Sequence, residues 1–517
     1  MNVNAVAGLS AALAAILVAA GTRPPGPALY GDSAGYLGTA VSLARHGTLR
    51  VPYASYASAD STAPLAQWPP GFPALLAVPL RFGASEATSA RIVNIVSAAA
   101  TIGLVVLIVG AAAGPGWATL GAVAVIVTTS VVWIHLEVLS EPPFTALTML
   151  TLALMVRAPA PERPAATGLA SAACVLVRYA GLGVVGAVVL WEALQPGPVV
   201  ARLRRAAVAG TPGVAAYLVW TAVVRHGGAA VRHVHLDHHP LLAARRALGS
   251  TFAWLAPGFV GEDHHVELAR VALKAALLIG LAALVVALGR RPARGRPSPS
   301  LSVASAATLL ATSIVALMLF ARVMESGVSF YDRVLAPAHA LLDVAIVAAL
   351  ASWWSDATRP ARAVAMMAVG AWLAWSMALS VRMAHEITTH GIDHTVVGAS
   401  PSPLWAWVGD AGRAGPIYSN DPADVYFETH RASRYLPWVM TPDSARALCQ
   451  ALARRPGLVV WVSAYTGEGL VYPELVPRLT TPATLTRAVP LHPVARFPDG
   501  IVWAPDSSLA GDPRCVS

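Results

Sequence analysis

Gly31-Asp32-Ser33-Ala34-Gly35-Tyr36 places a carboxylate just beyond the first apolar run of the chain, where a polypeptide leaves a membrane. A carboxylate fixed at a bilayer surface can take a proton from an incoming hydroxyl. Its competing local role is as the N-cap of a helix over 33–45, since Asp is a favoured cap. A second acid, Glu141, stands in His135-Leu136-Glu137-Val138-Leu139-Ser140-Glu141-Pro142-Pro143, where Ser140 and Glu141 before a proline mark a helix start. Glu141 is read either as an acid favourably placed at a helix N-terminus or as a carboxylate facing Asp32 across a cavity. Two arginines complete the set. Arg178, followed by Tyr179, closes an apolar span, and Arg333 opens one after Tyr331 and Asp332. A guanidinium at membrane depth is costly unless it pairs or meets water. Its fork of donors suits a lipid phosphate. The alternatives are snorkelling of Arg178 to the interface and a local Asp332–Arg333 pair.

The elements that would hold these groups are membrane helices. Of 517 residues, 56% are hydrophobic and 12% charged, about half the charged share of a soluble domain. The net charge of +9 is nearly all arginine, with Lys274 the single lysine. In a soluble chain that balance would suggest nucleic acid. Here the arginines sit in short loops between apolar spans, the pattern of cytoplasmic membrane loops, so no nucleic-acid partner is expected. After a first helix over 4–20, spans are expected near 88–111, 117–134, 142–157, 165–180, 182–194, 206–224, 269–288, 301–321, 334–354 and 363–381, eleven in all. The first helix is read as retained rather than cleaved, because no basic residue precedes it.

Arg157 and Arg163, Arg202 to Arg205, Arg290 to Arg296, and Arg359 and Arg362 mark one set of alternate loops as cytoplasmic. The N-terminus is then cytoplasmic. Asp32, Glu141, loop 225–268 and the tail 382–517 fall outside. Residues 21–86 form a large first outer loop. Its apolar piece Gly71–Phe82, interrupted by Pro73 and Pro79, is too short to cross and reads as a helix on the membrane surface. Trp68 and Phe72 suit an interfacial anchor. The tail changes character. Strand-length runs at Gly457–Val462 and Gly500–Trp503 and a helical pattern over Ser444–Arg454 predict a small extracytoplasmic α/β domain over 382–517, after a transmembrane domain over 1–381. Cys449 and Cys515 both fall in it, and the sequence leaves open whether they pair. Cys174 lies inside a span.

Loop 225–268 is rich in histidine. The Asp237-His238-His239 and Asp263-His264-His265 repeats carry metal-ligating side chains. No helical His-x-x-x-His spacing with a fourth ligand accompanies them, so a polar loop is preferred and a divalent metal is left open.

Together these segments resemble the GT-C class of membrane glycosyltransferases, in particular the branch of protein O-mannosyltransferases and of the transferase that adds aminoarabinose to lipid A. The likeness rests on Gly31–Tyr36 with Ala40, Leu43 and Gly47; on Pro69-Pro70-Gly71-Phe72-Pro73-Ala74-Leu75-Leu76; on Leu139-Ser140-Glu141-Pro142; on Val177-Arg178-Tyr179-Ala180-Gly181-Leu182; on Asp332-Arg333-Val334-Leu335-Ala336-Pro337; and on Ile417–Pro422 with Val425-Tyr426-Phe427. It implies a polytopic GT-C-like helix bundle, a polyprenyl-phosphate-linked sugar as donor, an outward-facing site and inversion at the sugar carbon. It further implies Asp32 as base, Arg178 and Arg333 on the donor phosphate, Tyr36, Tyr179 and Tyr331 beside the substrate, and Glu141 assisting acceptor or metal. The acceptor would be an extracytoplasmic glycan, lipid or protein. Asp32 is followed by Ser33, not by the second acid of the Asp-Glu pair of protein O-mannosyltransferases, a departure that bears on a protein acceptor and on a metal requirement alike. A transporter or lipid flippase is the first alternative; it would place charge near the middle of spans, as only Asp343 does clearly. A non-catalytic envelope assembly protein is the second.

Overall fold

The computed structural model describes residues 2–24, 26–157, 160–226, 298–324, 332–392, 395–396, 402–410, 415–463, 479–512 and 515. The span expected at 269–288, Tyr331, and His238, His239, His264 and His265 lie outside them. Among the described residues, six helices are long and apolar enough to cross a membrane. They are α1 (Val3–Gly21), α4 (Glu86–Ala113), α10 (Val199–His226), α11 (Pro299–Met324), α12 (Asp332–Trp354) and α13 (Arg359–His390). Their outward aliphatic side chains, such as Leu9, Leu13 and Ile16 on α1 and Leu203 and Leu218 on α10, are exposed, which only lipid surroundings tolerate at this density. The protein is a multi-pass membrane protein.

Three shorter helices, α7 (Glu141–Val156), α8 (Arg163–Val177) and α9 (Gly181–Leu194), have 16, 15 and 14 residues. At 1.5 Å per residue they fall short of a ~30 Å hydrocarbon core. Glu141 opens α7 and Arg178 follows the last residue of α8, so both stand at the same end of these short helices. On the opposite side, the same helices are tied by a buried ionic hub. Glu192 on α9 is paired with Arg163 at 3.1 Å and Arg205 at 3.7 Å.

The span expected at 117–134 is not straight. It divides into α5 (Pro115–Val127) and α6 (Thr129–Leu136), bent by 62° at Thr128. The interrupted backbone is satisfied by side chains. Ser380 donates to the Val127 carbonyl at 2.7 Å, and Thr128 donates to Asp343 on α12 at 2.7 Å. Ser130 meets His339 Nδ1 at 2.8 Å.

The first loop is folded. Helix α2 (Gly31–His46) ends on Gly47, which takes the left-handed conformation that Cβ-bearing residues avoid. Helix α3 (Gly71–Arg81) forms where an interfacial helix was expected, but Phe72 is fully buried against Tyr36 and Trp68 also packs on that ring. Phe72 is thus core packing beneath α2 rather than a membrane anchor, while Trp68 packs on the same ring and stays half-buried. Burying a phenylalanine gains about 2–3 kcal/mol over leaving it exposed.

The chain after α13 builds an α/β unit. A six-stranded sheet runs in the order β2-β7-β6-β8-β10-β9 (Tyr53–Ser55, Ser433–Tyr435, Ile417–Ser419, Leu458–Val462, Gly500–Pro505, Leu491–Phe497). The first four strands are parallel, and β10 is antiparallel to both neighbours. Alternation sorts its two faces. Tyr418, Val459 and Trp503 pack under α16 (Pro442–Arg454) and α17 (Pro482–Ala488), and Ile417, Val460 and Val502 pack under α14 (Pro403–Gly409) and α15 (Pro422–Thr429). Cys449 on α16 is disulfide-bonded to Cys515, and Cys174 is a free buried thiol. Residue 381 lies inside α13, and edge strand β2 comes from the first loop, so loop and C-terminal unit share one sheet. A second tie joins α15 to the start of α4, where Tyr426 donates to Glu86 at 3.0 Å.

Candidate active site

Four segments distant in sequence meet at the end of the bundle nearest the C-terminal unit. The first stitch is a bridge between Ala28 and the α6–α7 junction. Ala28 N–H donates to Leu136 at 2.8 Å, and Val138 N–H donates to Ala28 at 3.0 Å. Ser33 then reaches across to the Val138 carbonyl at 2.9 Å. From α4, Asn94 donates to the carbonyls of His135 and Glu137 at 3.0 and 2.7 Å. These bonds fix α2 against the junction that carries Ser140 and Glu141.

Helix α2 begins at Gly31, with Tyr30 before it, and the Tyr30 N–H is capped by Ser33 at 2.9 Å. Asp32 is therefore in the first turn and is not the N-cap. Its carboxylate stands 3.7 Å from Arg333 of α12 and is 35% exposed, against 7% for Arg333. The Arg333 guanidinium lies 3.7 Å over the Tyr30 ring, a desolvated cation–π contact. Glu141, Asp32 and Glu137 all lie within electrostatic reach of it. Two of its nitrogens, Nε and Nη1, are buried without a hydrogen-bond partner among the described residues. Arg333 is thus a buried cation with open donors beside the most solvent-accessible acid of the site.

Arg178 is the residue at which α8 stops. The turn into α9 is tight because Gly181 sits against the backbone of Cys174 and Val175, where a Cβ would not fit. The guanidinium pairs with Glu141 at 2.7 Å and donates to Ser140 at 2.8 Å. Glu141 is 2% exposed, so this pair is close and largely dry. The Tyr36 hydroxyl meets Ser140 at 3.2 Å and completes the chain from α2 to Arg178. Burial first, and then the Asp32 charge, push the Tyr36 phenol above the ordinary tyrosine value of 10.0. It is therefore a proton donor at neutral pH.

Asp32, Tyr36, Glu141, Arg178 and Arg333 are thus brought together. Tyr179 turns to α10, where its hydroxyl accepts from Trp220 at 3.1 Å and its ring meets Tyr217 edge-on. Sequence reasoning did not single out Tyr30, Ser140 or Glu137. Glu137, fully buried and held by Trp133 at 2.6 Å, had a signal in its spacing of four from Glu141 at a helix junction. Tyr30 had none, since its role depends on α12.

Among the described residues no group of three or more His, Cys, Asp or Glu is placed to hold a metal ion. Asp32 and Glu141 each face a guanidinium, a donor set that fits an anion beside the acids better than a divalent cation between them.

Solved structures share this architecture. ArnT from Cupriavidus metallidurans bound to undecaprenyl phosphate aligns over 98% of this chain and 98% of its own, at 15% identity and a TM-score of 0.55. Its apo state aligns with the same coverage and identity at 0.57. The arabinofuranosyltransferase AftD from Mycobacteria aligns over 96% of this chain and 39% of its own, at 16% identity and a TM-score of 0.53. No protein-family model and no curated protein matches the sequence. At these identities the likeness is one of fold. The chain shares the polytopic membrane fold of these structures, with its α/β unit at one end of the bundle.

Proposed function

We propose that this chain is an integral membrane glycosyltransferase that moves a sugar from a polyprenyl-phosphate carrier to an acceptor outside the cytoplasm. The observation that carries the reading is the pairing of two acids with two arginines at one end of the bundle, joined through Tyr36 and Ser140, with Arg333 Nε and Nη1 making no hydrogen bond among the described residues. A phosphate at the membrane surface supplies the acceptor oxygens that those donors lack. Arg178, held by Glu141 and Ser140, takes the second side of the anion. Binding there draws Arg333 toward the phosphate and leaves the Asp32 carboxylate open to an incoming hydroxyl.

In the reaction, the acceptor oxygen attacks the anomeric carbon from the face opposite the phosphate. The carbon–oxygen bond to the phosphate breaks, its electron pair leaves with the phosphate, and the acceptor proton passes to Asp32. The configuration at the sugar carbon inverts. The two guanidinium groups stabilise the charge that grows on the departing phosphate, the kind of term that dominates many enzymatic rate enhancements. Glu141 is a positioning residue for Arg178. The disulfide Cys449–Cys515 supports an extracytoplasmic placement of the C-terminal unit, because such bonds persist in oxidising compartments. The arginine-rich loops at the opposite bundle end support a cytoplasmic N-terminus.

Asp343, buried within α12, is the observation that would favour a transporter. Its carboxylate accepts from the Thr128 hydroxyl at the α5–α6 break, a contact that ties α12 to the bend. The test is a strain lacking the gene, examined by mass analysis of its envelope glycans, together with purified protein offered labelled polyprenyl-phosphate sugars. Loss of one defined sugar and transfer in vitro are expected. An unchanged envelope and no transfer from any pentose or hexose donor would refute the reading.

A further inference from the structure

Gly35 lies one turn beyond Asp32 on α2 and hence on the same side of the helix. A Cβ there would collide with the Trp68 ring and stand 2.6 Å from the Tyr53 hydroxyl. The absence of a side chain lets both aromatics close on the helix directly beside the acid. Trp68 is half-buried, its ring tilted against Tyr36 at 4.9 Å, and its indole N–H makes no hydrogen bond to the described residues. Tyr53, on edge strand β2, is 7% exposed, and its hydroxyl too has no hydrogen-bond partner among the described residues. Its ring is held edge-on by Tyr435 of β7 at 5.3 Å, so the C-terminal unit fixes its position. Burial above all, then Tyr435 and the charge on Asp32, raise the Tyr53 phenol well above the ordinary value. It is a donor at neutral pH, close enough to Asp32 to feel its charge.

The Tyr53 hydroxyl is thus a donor without a partner among the described residues, and the half-buried indole beside it offers accessible apolar surface. A sugar ring satisfies both. Its axial C–H groups are weakly positive and complement the negative face of an aromatic ring, and its hydroxyls accept hydrogen bonds. We propose that Trp68 and Tyr53 form the saccharide-recognising wall of this site, Trp68 stacking on a sugar ring and Tyr53 donating to one of its hydroxyls. The inference rests on the glycosyl-transfer reading and adds to it the residues that read the sugar. The ring held there belongs either to the donor or to a glycan acceptor.

The experiment uses the full chain in lipid nanodiscs with two binding probes, undecaprenyl phosphate without a sugar and the same carrier bearing labelled pentoses or hexoses. Trp68→Leu is expected to weaken binding of the sugar-bearing carrier roughly tenfold and to leave the bare carrier unchanged. Trp68→Phe should recover most of the loss, and Tyr53→Phe should cost roughly three- to tenfold. If the sugar-bearing carrier binds Trp68→Leu normally while KM rises about tenfold for the best oligosaccharide acceptor of the wild type, the wall holds the acceptor ring. Equal weakening of bare and sugar-bearing carrier would reduce Trp68 to a packing role and overturn the inference. So would wild-type behaviour of both Trp68→Leu and Tyr53→Phe toward donor and acceptor. A wild-type protein that binds neither carrier would remove the glycosyl-transfer reading, and this inference with it.

Discussion

Replacing Arg178 by methionine separates two roles that one guanidinium plays. Glu141 is 2% exposed and its partner lies at 2.7 Å, so removing the arginine takes the close counter-charge from a carboxylate in a dry setting and leaves it only the field of Arg333. Breaking a buried pair in this way costs about 3–5 kcal/mol. The Ser140 hydroxyl, 3.5 Å from Glu141, is too distant to compensate much. The same substitution removes charged donors to a bound phosphate, worth about 1.5–3 kcal/mol, or roughly 10- to 150-fold in affinity. Pairing it with Glu141→Gln splits the effects. The double variant has no stranded charge, so most of the stability should return, with a coupling of about 2–3 kcal/mol in the double-mutant cycle. Phosphate affinity should not return, because the guanidinium is still absent. Thermal unfolding in detergent reads the first quantity, and undecaprenyl phosphate binding in nanodiscs reads the second. A double variant no more stable than Arg178→Met, or one that regains carrier affinity, would refute the reasoning.

Three further outcomes are expected. Glu192→Ala should destabilise the protein by about 3 kcal/mol, because it strands Arg163 in a buried site; a melting temperature within a degree or so of wild type would contradict the hub. Gly35→Ala should cost about 1–3 kcal/mol by overpacking against Trp68 and Tyr53 and should lower transfer, and a fully active, fully stable variant would mean that the two rings move aside freely. Stability should also fall above pH 10. Tyr36, Tyr53 and Tyr426 have folded values raised above the ordinary 10.0, chiefly by burial, so the stability they contribute is complete below that value. It is lost as pH rises, because the unfolded chain releases those protons first, at up to about 1.4 kcal/mol per pH unit for each group. A melting curve that stays flat on alkaline titration, with early tyrosinate absorption in the folded protein, would show that these phenols are open to solvent.

The helices were legible because lipid imposes a composition on every segment that crosses it. The expected spans at 88–111, 206–224, 301–321 and 334–354 each lie on a helix, while that at 165–180 overruns α8 by three residues. The break at Thr128 was not legible, because nothing in Val125-Ile126-Val127-Thr128-Thr129 forbids a continuous helix; the bend depends on Ser380 and Asp343 arriving from other segments. Asp32, Glu141, Arg178 and Arg333 could be singled out because charge at a span end is expensive and so carries meaning. Which acid meets which arginine could not be read, since Asp332 is the sequence neighbour of Arg333 while Asp32 is its partner from across the fold. Trp68 and Phe72 suited an interface by residue type alone, and their burial against Tyr36 becomes visible only once α2 and α3 are packed. Strand β2 is three residues long, too short to show an alternation, so its insertion into a sheet built from residues beyond 416 left no trace in the local pattern.

Everything in the proposed reaction turns on Asp32 acting on the acceptor rather than on the donor. Asp32→Asn keeps the size and the hydrogen-bonding reach of the side chain and removes its basicity. Donor affinity and transfer should both be measured on this variant, with labelled polyprenyl-phosphate sugar in nanodiscs. Carrier-sugar binding is expected to stay within about threefold of wild type, since the guanidinium groups are untouched, while transfer falls by about 10²-fold or more. Transfer at the wild-type rate would contradict the assignment, and so would a loss of donor binding as large as the loss of rate.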